Sequence, residues 1–239
     1  MMQRIPRREP IEDWEGARAF ASTDLSELQD QFVTLFRHRL PHWHGARRIL
    51  DLGCGAAGIS VRIGRVFPRF RIDGVDASFP MLAFGEQAVA VHGLRERIRL
   101  TQLFLPSPGY RPEPYDIVIS EGLLHRLADP MSLWQTIKQA TRPGSGVFVM
   151  DLARPDSESR AQGLVQQHAG SENEALRKEL YDSLLAAYTI EEVSAQIQAA
   201  GLGMLEVAAV GDRHLIVYGD RLYRDNPLRP LWGGAPGEE

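Results

Sequence analysis

The residues whose types and spacing most suggest chemistry form a glycine-rich turn. Gly53, Gly55 and Gly58 fit the pattern G-x-G-x-x-G directly after an apolar run, residues 49–52, and before a stretch with helical spacing. Glycine lets the chain turn tightly and lets a ligand approach the backbone, next to the amide groups at a helix N-terminus. The pattern alone is typical of several nucleotide-binding sites, so the flanking residues must decide which ligand it holds.

Two carboxylates flank this turn and restrict what it can hold. Asp51, two residues before Gly53, would repel a pyrophosphate but suits the ammonium group of a methionine moiety. Asp76, 18 residues beyond Gly58, ends the next β-rich run and is placed to accept hydrogen bonds from ribose hydroxyls. A dinucleotide and S-adenosyl-L-methionine compete as ligands here, and Asp51 favours S-adenosyl-L-methionine as the cofactor.

The elements that must position these residues alternate along the chain. Predicted strands cover residues 49–52, 71–76, 98–103, 115–120 and 146–151. Predicted helices cover residues 59–66, 80–92 and 132–141. Strands that alternate with helices imply crossover connections and a parallel sheet covered by helices on both faces.

A helical region, residues 12–40, precedes the turn. Its second half carries apolar side chains at spacings of three and four, namely Leu28, Phe32, Leu35, Phe36 and Leu40. That stripe predicts an amphipathic helix, with Asp24 or Ser26 as its N-cap. Because dinucleotide-binding domains often open with the glycine-rich turn, the presence of about fifty residues before it, with this helical region among them, also favours S-adenosyl-L-methionine.

The alternation changes after the fifth strand. Residues 154–188 are polar and favour helix, and residues 189–192 (Thr-Ile-Glu-Glu) resemble a capping box that opens another helix. Residues 204–210 and 214–218 are β-rich runs on either side of a short turn, which predicts an antiparallel hairpin. We therefore predict an α/β fold, a Rossmann-like seven-stranded, mostly parallel sheet with a C-terminal antiparallel hairpin and a helical N-terminal cap.

The predicted organisation has three parts. Residues 1–47 form an N-terminal arm and helical cap, and residues 48–224 form the cofactor-binding α/β domain. Within that domain, residues 154–188 form a helical lid insertion. Residues 225–239, with three prolines and three glycines, form a flexible tail.

Residues 48–219 resemble the class I S-adenosylmethionine-dependent methyltransferases. The matching stretches are residues 49–55 (Ile-Leu-Asp-Leu-Gly-Cys-Gly), 74–78 (Gly-Val-Asp-Ala-Ser), 115–120 (Tyr-Asp-Ile-Val-Ile-Ser) and the Arg-Pro-Gly turn at 142–144. These motifs cover a superfamily and do not specify a substrate.

The resemblance implies roles for the residues of a cofactor site. Gly53, Cys54 and Gly55 would lie under the methionine part, Asp51 near its amino group, and Asp76 at the ribose hydroxyls. The further residues it implies are Ala77 and Met81 beside the adenine, and Ser120 and Glu121 near the reacting methyl.

One departure from the family pattern concerns the adenine. Many relatives carry an Asp after the third strand that contacts the adenine amino group, whereas residues 101–103 here are Thr-Gln-Leu. Either Gln102 substitutes through its amide oxygen, or the backbone near Leu103 supplies the contact.

The first candidate catalytic residue is His125. It follows the fourth strand at the sheet edge where open α/β sheets hold ligands, so it is placed to act as a general base. The competing interpretation is a structural histidine packed beside Leu124 and Leu127. A base is needed only when the methyl acceptor carries a proton. The Asp/Asn-Pro-Pro-aromatic motif that serves amino methylation of nucleic-acid bases and glutamine is absent here.

The other candidates border the acceptor site. Arg154 either grips an acceptor carboxylate through two hydrogen bonds or forms a surface salt bridge. Tyr181 is a second catalytic candidate that also has helical spacing typical of a partly buried residue. Phe20, in the N-terminal cap, and Tyr188, at the end of the lid, are predicted to bind the acceptor.

Composition limits the function classes. The net charge of −4 disfavours wholesale nucleic-acid binding, although Arg4, Arg7 and Arg8 lie together near the start. Cys54 is the only cysteine, so neither an intramolecular disulfide nor a cysteine metal cage can form, and we predict no metal site. No apolar stretch approaches the roughly 18 to 20 residues of a membrane helix, and no signal peptide is recognised. We expect a cytoplasmic monomer or homodimer.

These observations lead to a methyltransferase that acts on a small-molecule acceptor. A first alternative is a non-catalytic partner or sensor that binds S-adenosyl-L-methionine, which an exposed apolar patch on the N-terminal helix would favour. A second is a protein or RNA methyltransferase, which would need Arg4, Arg7, Arg8, Arg47 and Arg48 to form one basic face near the cofactor. A dehydrogenase is the most remote alternative.

Overall fold

The computed structural model describes residues 2–6, 13–43 and 47–222. The strands are β1 Arg47–Leu52, β2 Phe70–Asp76, β3 Ile98–Gln102, β4 Ile117–Glu121, β5 Gly146–Leu152, β6 Glu206–Val210 and β7 His214–Gly219. The helices are α1 Trp14–Ala21, α2 Ser26–Arg39, α3 Gly58–Val66, α4 Phe79–Val91, α5 Met131–Ala140, α6 Glu158–Ala169, α7 Glu174–Ala186 and α8 Ile190–Ala199. A short 3₁₀ turn, Leu124–Arg126, follows β4. The predicted tail, residues 225–239, lies outside the described part of the chain.

The seven strands form one sheet in the order β3-β2-β1-β4-β5-β7-β6. β7 runs antiparallel to both of its neighbours, β5 and β6, and the remaining pairs are parallel. The predicted fold class, including the reversed strand at the end, is therefore confirmed. The strand order reverses between β1 and β4, and ligands of open α/β sheets bind at the carboxyl ends of strands at such a point.

Apolar side chains fill both faces of the sheet, because successive residues of a strand point to opposite sides. In β1, Leu50 joins the cluster around Trp134 and Leu133 of α5. Ile49 joins the opposite cluster, which contains Phe32 and Phe36 of α2. The central strands β4 and β5 are therefore nearly continuous buried runs.

The N-terminal helical region consists of two helices separated by residues 22–25. Asp24 accepts a hydrogen bond from the Ser26 amide at 3.0 Å, at the start of α2. The rings of Phe32 and Phe36 meet Phe148 of β5 edge to face, with centroids 4.9 and 6.0 Å apart. Helix α2 thus shares a core with the sheet.

The segment after β5 contains two helices, α6 and α7, in place of a strand. They pack on each other around a small core of their own, Ala161, Leu164, Val165 and Leu184. The capping box predicted for the next helix is confirmed, since Thr189 Oγ1 accepts from the Glu192 amide and Glu192 Oε2 accepts from the Thr189 amide. Among the described residues, no helix combines the length and apolar character needed to cross a bilayer.

The contact between α2 and β5 yields a stability prediction. Replacing Phe148, which is fully buried, with alanine leaves a cavity between the sheet and α2. We expect the free energy of unfolding to fall by about 3–5 kcal/mol in Phe148→Ala, measured by urea denaturation. Phe104→Ala is the matched control, because Phe104 is 55% exposed, and a change within about 0.5 kcal/mol is expected there. Equal losses in the two variants would contradict this assignment of the core.

Candidate active site

The glycine-rich turn uses its own amide groups internally. The amides of Gly53 and Cys54 donate to the carbonyl of Val75, at 2.8 and 3.0 Å. The Gly55 amide donates to Asp76 Oδ2 at 2.9 Å, and the Ala57 amide donates to the Cys54 carbonyl at 2.8 Å. A pyrophosphate needs free amide donors from such a turn. Because these four amides already have partners, they are not free to hold a pyrophosphate.

Two neighbouring elements hold the turn in place. Gly53 has a φ of +75°, and a Cβ at this position would lie 2.9 Å from the Leu123 Cβ. At Gly58 a Cβ would lie 2.2 Å from Nε2 of Gln29, which belongs to α2. Glycine at both positions therefore permits close packing against the segment after β4 and against the N-terminal cap.

Carboxylates collect where the turn meets the ends of β2 and β4. Asp51 is 2% exposed, and burial raises its pKa to about 7, against a 2.7 Å hydrogen bond from Ser60 Oγ and with a further rise from the charge of Asp76. Burial raises the pKa of Glu121 to about 7, and the charges of Asp151 and Asp51 add to the effect. Burial also raises the pKa of Asp76. Burial is therefore the main reason that these carboxyls ionise less readily, and neighbouring carboxylates add to the effect for Asp51 and Glu121.

One arginine lies close enough to oppose this negative charge. Arg126 lowers the pKa of both Glu121 and Asp76. Its guanidinium is paired, however, with Glu179 of α7 at 2.8 Å, and it lies over the Phe20 ring, 5.9 Å from the centroid. The carboxylates of the cluster thus outnumber the nearby positive charge, and this suits a positively charged ligand.

The predicted adenine side lies at the ends of β2 and β3. Gln102 Nε2 donates to the Ala77 carbonyl at 2.8 Å, so the amide oxygen is the part of this side chain left to face an adenine amino group. The Leu103 amide donates to the Asp76 carbonyl at 2.9 Å and is therefore occupied. Met81 is buried, and its methyl group would lie 3.3 Å from a Cβ at Gly55. An adenine amino group needs an acceptor, so the Gln102 amide oxygen and a backbone carbonyl both stay candidates.

Two residues placed in the cofactor site make internal contacts. The Ser120 hydroxyl is fully buried and donates to the Leu52 carbonyl at 2.8 Å, so its described contact lies within the sheet. Burial raises the pKa of the Cys54 thiol well above its usual range. A thiol with such a raised pKa is a weak nucleophile, which agrees with a packing role for Cys54 in the turn.

His125 and Asp151 form a buried pair beside the carboxylate cluster. His125 Nδ1 lies 2.7 Å from Asp151 Oδ1, and the two side chains are 4% and 1% exposed. Asp151 also accepts the amides of Leu124 and Leu152, at 2.7 and 2.8 Å, so its carboxylate is held from three sides. Because a carboxylate accepts, Nδ1 carries a proton, and in the neutral imidazole Nε2 then carries the lone pair. Nε2 is buried and has no hydrogen-bond partner among the described residues.

The structure gives Arg154 a different partner from the predicted acceptor carboxylate. Its Nη2 donates to Glu192 Oε1 at 2.6 Å, and its Nη1 donates to the Ala187 carbonyl at 3.2 Å. The side chain is 3% exposed, so the predicted two-point grip is already used within the protein. Arg154 therefore joins the end of the lid to α8, and the salt bridge that the sequence offered as the alternative is present, with the Arg154 side chain buried and Glu192 40% exposed.

The remaining candidates lie on different sides of the lid. Tyr181 packs against the small core between α6 and α7, which explains its helical spacing. Tyr188 is 7% exposed and lies under the guanidinium of Arg4, 4.0 Å from the ring centroid. Phe20 lies beside Arg126, next to His125. The structure therefore brings Phe20 and Tyr188 toward the His125 turn and places Tyr181 within the lid.

Sequence reasoning missed two contributors to this region, Arg126 and Glu179. Asp151, the penultimate residue of β5, borders the predicted lid in sequence, but its pairing with His125 is seen only in the structure. No local sequence pattern predicts the contact between Arg126 and Glu179, because the two residues lie 53 positions apart. No group of three or more histidine, cysteine, aspartate or glutamate side chains in the described ranges is arranged to hold a metal.

Comparisons with known proteins agree with this geometry. Residues 50–147 match a family model described as a methyltransferase domain. A malonyl-[acyl-carrier protein] O-methyltransferase from Legionella pneumophila is 34% identical over 102 residues, which are 42% of this chain and 35% of that protein. A ubiquinone biosynthesis O-methyltransferase from Aeromonas salmonicida is 27% identical over 111 residues, 45% of this chain and 44% of that protein. In both relatives the match spans less than half of the relative's length.

Solved structures show the same fold. A crystal structure described as a SAM dependent methyltransferase from Aquifex aeolicus superposes with a TM-score of 0.61 at 15% identity, and the match covers 86% of this chain and 97% of that one. Residues 50–147, less than half of the chain, match the methyltransferase domain model, and the described residues have the fold of solved S-adenosylmethionine-dependent methyltransferases. The family resemblance seen in the sequence is therefore confirmed.

Asp51 yields a prediction about stability and pH. Its folded-state pKa of about 7 lies above the ordinary 3.8, so protonated Asp51 favours the folded state and that contribution is lost as the pH rises from about 4 through 7. Asp51→Asn keeps an acceptor for Ser60 and removes the charge. At pH 8 we expect the variant without ligand to be more stable than the wild type by a few kcal/mol, on the order of 4 at most.

The measurement is urea denaturation at pH 5.5 and pH 8. The advantage of Asp51→Asn at pH 5.5 should be about half of its value at pH 8, because pH 5.5 lies midway between the unfolded and folded pKa values. Asp30→Asn serves as the control, since Asp30 is 72% exposed in its ion pair with Arg62. A variant that is less stable than the wild type at pH 8 would show that Asp51 is not a charged, destabilising group.

Proposed function

We propose that this chain is an enzyme that transfers a methyl group from S-adenosyl-L-methionine to a hydroxyl group of a small molecule. The single observation that carries the proposal is the cluster of Asp51, Asp76 and Glu121 near the carboxyl ends of three adjacent strands. Burial raises the pKa of all three carboxyls, and the charge of neighbouring carboxylates adds to the rise for Asp51 and Glu121. S-adenosyl-L-methionine brings a sulfonium and an ammonium group to such a site. A nucleotide with a pyrophosphate would bring the wrong charge.

Each part of the cofactor has candidate partners in the chain. Asp51 and Glu121 would face the ammonium and sulfonium end, and Asp76 would accept the ribose hydroxyls. Gln102 would accept from the adenine amino group, with Ala77 and Met81 beside the ring. These assignments follow the positions of the side chains at the ends of β1, β2, β3 and β4.

When bound, S-adenosyl-L-methionine supplies a methyl carbon already activated by a positively charged sulfur. The chain's part is to align the acceptor with the carbon–sulfur bond and to remove the acceptor proton. His125 Nε2 takes that proton while the oxygen–carbon bond forms, the carbon–sulfur bond breaks and its electron pair goes to sulfur. Asp151, 2.7 Å from Nδ1, stabilises the resulting imidazolium. A base is useful only for an acceptor that carries a proton, so the buried pair favours a hydroxyl.

Two further observations support a small acceptor. Helices α6 and α7 follow the carboxyl end of β5 and α1 packs against α4, so that helices border the site on two sides. Such covers exclude water and bulky acceptors. The two curated relatives described above are named as O-methyltransferases, which agrees with an oxygen acceptor.

Cofactor binding should depend on pH. A cationic ligand prefers ionised Asp51 and Glu121, so each group with a pKa of about 7 weakens binding as the pH falls below 7. From pH 6 to pH 8 we expect the affinity for S-adenosyl-L-methionine to rise about tenfold for each group that must ionise. Calorimetry in buffers of different ionisation enthalpy should detect proton release on binding near pH 6.5. Asp51→Asn should bind at least tenfold more weakly at pH 8, while Asp30→Asn should bind as the wild type does.

Turnover should depend on His125 in a separate way. With a panel of small phenols and hydroxy acids as acceptors, we expect His125→Gln to lower kcat by about 10²- to 10⁴-fold. Asp151→Asn should lower kcat as well, because Nδ1 loses the partner that sets its proton. Affinity for S-adenosylhomocysteine should stay within twofold in both variants. No binding of either ligand to the wild type would rule out the proposed function, and unchanged kcat in His125→Gln would remove the base from it.

One observation favours the alternative of a non-catalytic partner that binds the cofactor. Trp14, in α1, is 52% exposed and meets Phe79, which is 58% exposed, edge to face at 6.2 Å. This is the exposed apolar patch on the N-terminal helix that the alternative predicts. Tight binding of S-adenosyl-L-methionine without turnover of any acceptor in the panel would select this alternative.

The described geometry gives less support to a protein or RNA methyltransferase. Arg47 and Arg48 begin β1, at the opposite end of the strand from Leu52 and the turn. Arg4 contacts the lid, and Arg7 and Arg8 lie outside the described residues. The arginines that this alternative requires therefore do not form one described basic face beside the turn.

A further inference from the structure

The N-terminal residues 2–6 cross the molecule next to the proposed acceptor site. The Ile5 amide donates to the Leu185 carbonyl at 2.9 Å. Arg4 donates from Nε to the Ala186 carbonyl at 2.6 Å and from Nη2 to the His125 carbonyl at 3.3 Å. One side chain thus joins the end of the lid helix α7 to the turn that carries His125.

Arg4 is also the main attachment of this segment. Its guanidinium lies 4.0 Å from the centroid of the Tyr188 ring, which adds a cation–π contact to the two hydrogen bonds. Ile5, in contrast, is 57% exposed, and a recess of about 260 Å³ lies against Ile5, Pro6, Asp182 and Leu185. Apolar packing therefore contributes little, and the segment is held chiefly by polar contacts of Arg4.

The attachment by Arg4 bears on how an acceptor reaches His125. An acceptor hydroxyl must come within about 3 Å of Nε2 for the proton to move. Nε2 is buried and has no hydrogen-bond partner among the described residues, so the described arrangement is closed around it. The turn and the end of the lid must separate for an acceptor to enter, and Arg4 holds them together.

We propose that Arg4 is a positioning residue for the acceptor half of the site, which holds the His125 turn against residues 186–188 and whose release opens the path to Nε2. This inference rests on the proposed function of His125 as the base. Arg4 does not touch the reacting atoms in this scheme. It sets how often the acceptor side is open.

The test needs no knowledge of the acceptor, because diethyl pyrocarbonate acylates accessible neutral imidazole nitrogens. Its reaction with each histidine can be followed by mass spectrometry, with His38 and His92 as exposed references. In Arg4→Ala we expect the rate at His125 to rise at least tenfold relative to both references. The rate at His125 in Arg4→Lys should be close to the rate in Arg4→Ala. An ammonium group lacks the planar guanidinium that reaches two carbonyls and stacks on a ring.

Three controls keep the outcome specific. Arg37→Ala, which removes an arginine from a groove between α2 and α3, should leave the His125 rate unchanged. Hydrogen exchange in Arg4→Ala should increase for peptides covering residues 123–127 and 185–188 and stay constant for residues 51–58. The melting temperature and the affinity for S-adenosylhomocysteine should match the wild type.

The results separate this inference from the proposed function. An unchanged His125 rate in Arg4→Ala would overturn the role of Arg4, and so would a rise at every histidine together with a lower melting temperature. Failure of the wild type to bind S-adenosylhomocysteine would overturn the proposed function while leaving the reactivity of His125 to report on Arg4.

Discussion

Like charges held close together and away from water are the constraint on which the rest of the site depends. Asp51, Asp76 and Glu121 end or nearly end three adjacent strands, β1, β2 and β4. The parallel order of these strands brings their carboxyl ends to one edge. Repulsion between the side chains is resisted by apolar packing on both faces of the sheet. Holding these carboxylates together therefore lowers the free energy of unfolding, and a bound cation would offset that loss.

The direction of the amide groups separates this turn from others with the same glycine spacing. Glycines allow a tight turn in either case. A turn whose amides point outward is an anion site, whereas the amides of Gly53, Cys54 and Gly55 point to Val75 and Asp76. The groups beside this turn that remain for a ligand are then the carboxylates of Asp51 and Asp76. Ligand choice in this fold follows from the partners of the backbone donors more than from the glycines themselves.

The fold could be predicted from the sequence because its signals are local. Alternating apolar runs and helical stripes predicted the strands, and residues 211–213 predicted the final hairpin. Side-chain partners that are distant in sequence could not be predicted. Arg154 finds Glu192 38 positions away, and Arg4 reaches a carbonyl 182 positions away. His125 and Asp151 each lay at a strand end, but only the pairing of β4 with β5 brings them within hydrogen-bonding distance.

The edge-to-face contact between α2 and β5 has a consequence for how the chain is made. Phe148 follows Phe32 by 116 residues, so more than a hundred residues must leave the ribosome between the two partners. Helix α2 is synthesised early, yet its apolar stripe has no β5 to cover it until β5 has joined β4 and β1. Contacts of such long sequence separation slow folding and leave apolar surface exposed meanwhile. The N-terminal helices are thus among the first elements synthesised, and the part of the α2 stripe that faces Phe148 is covered only after β5 has been made.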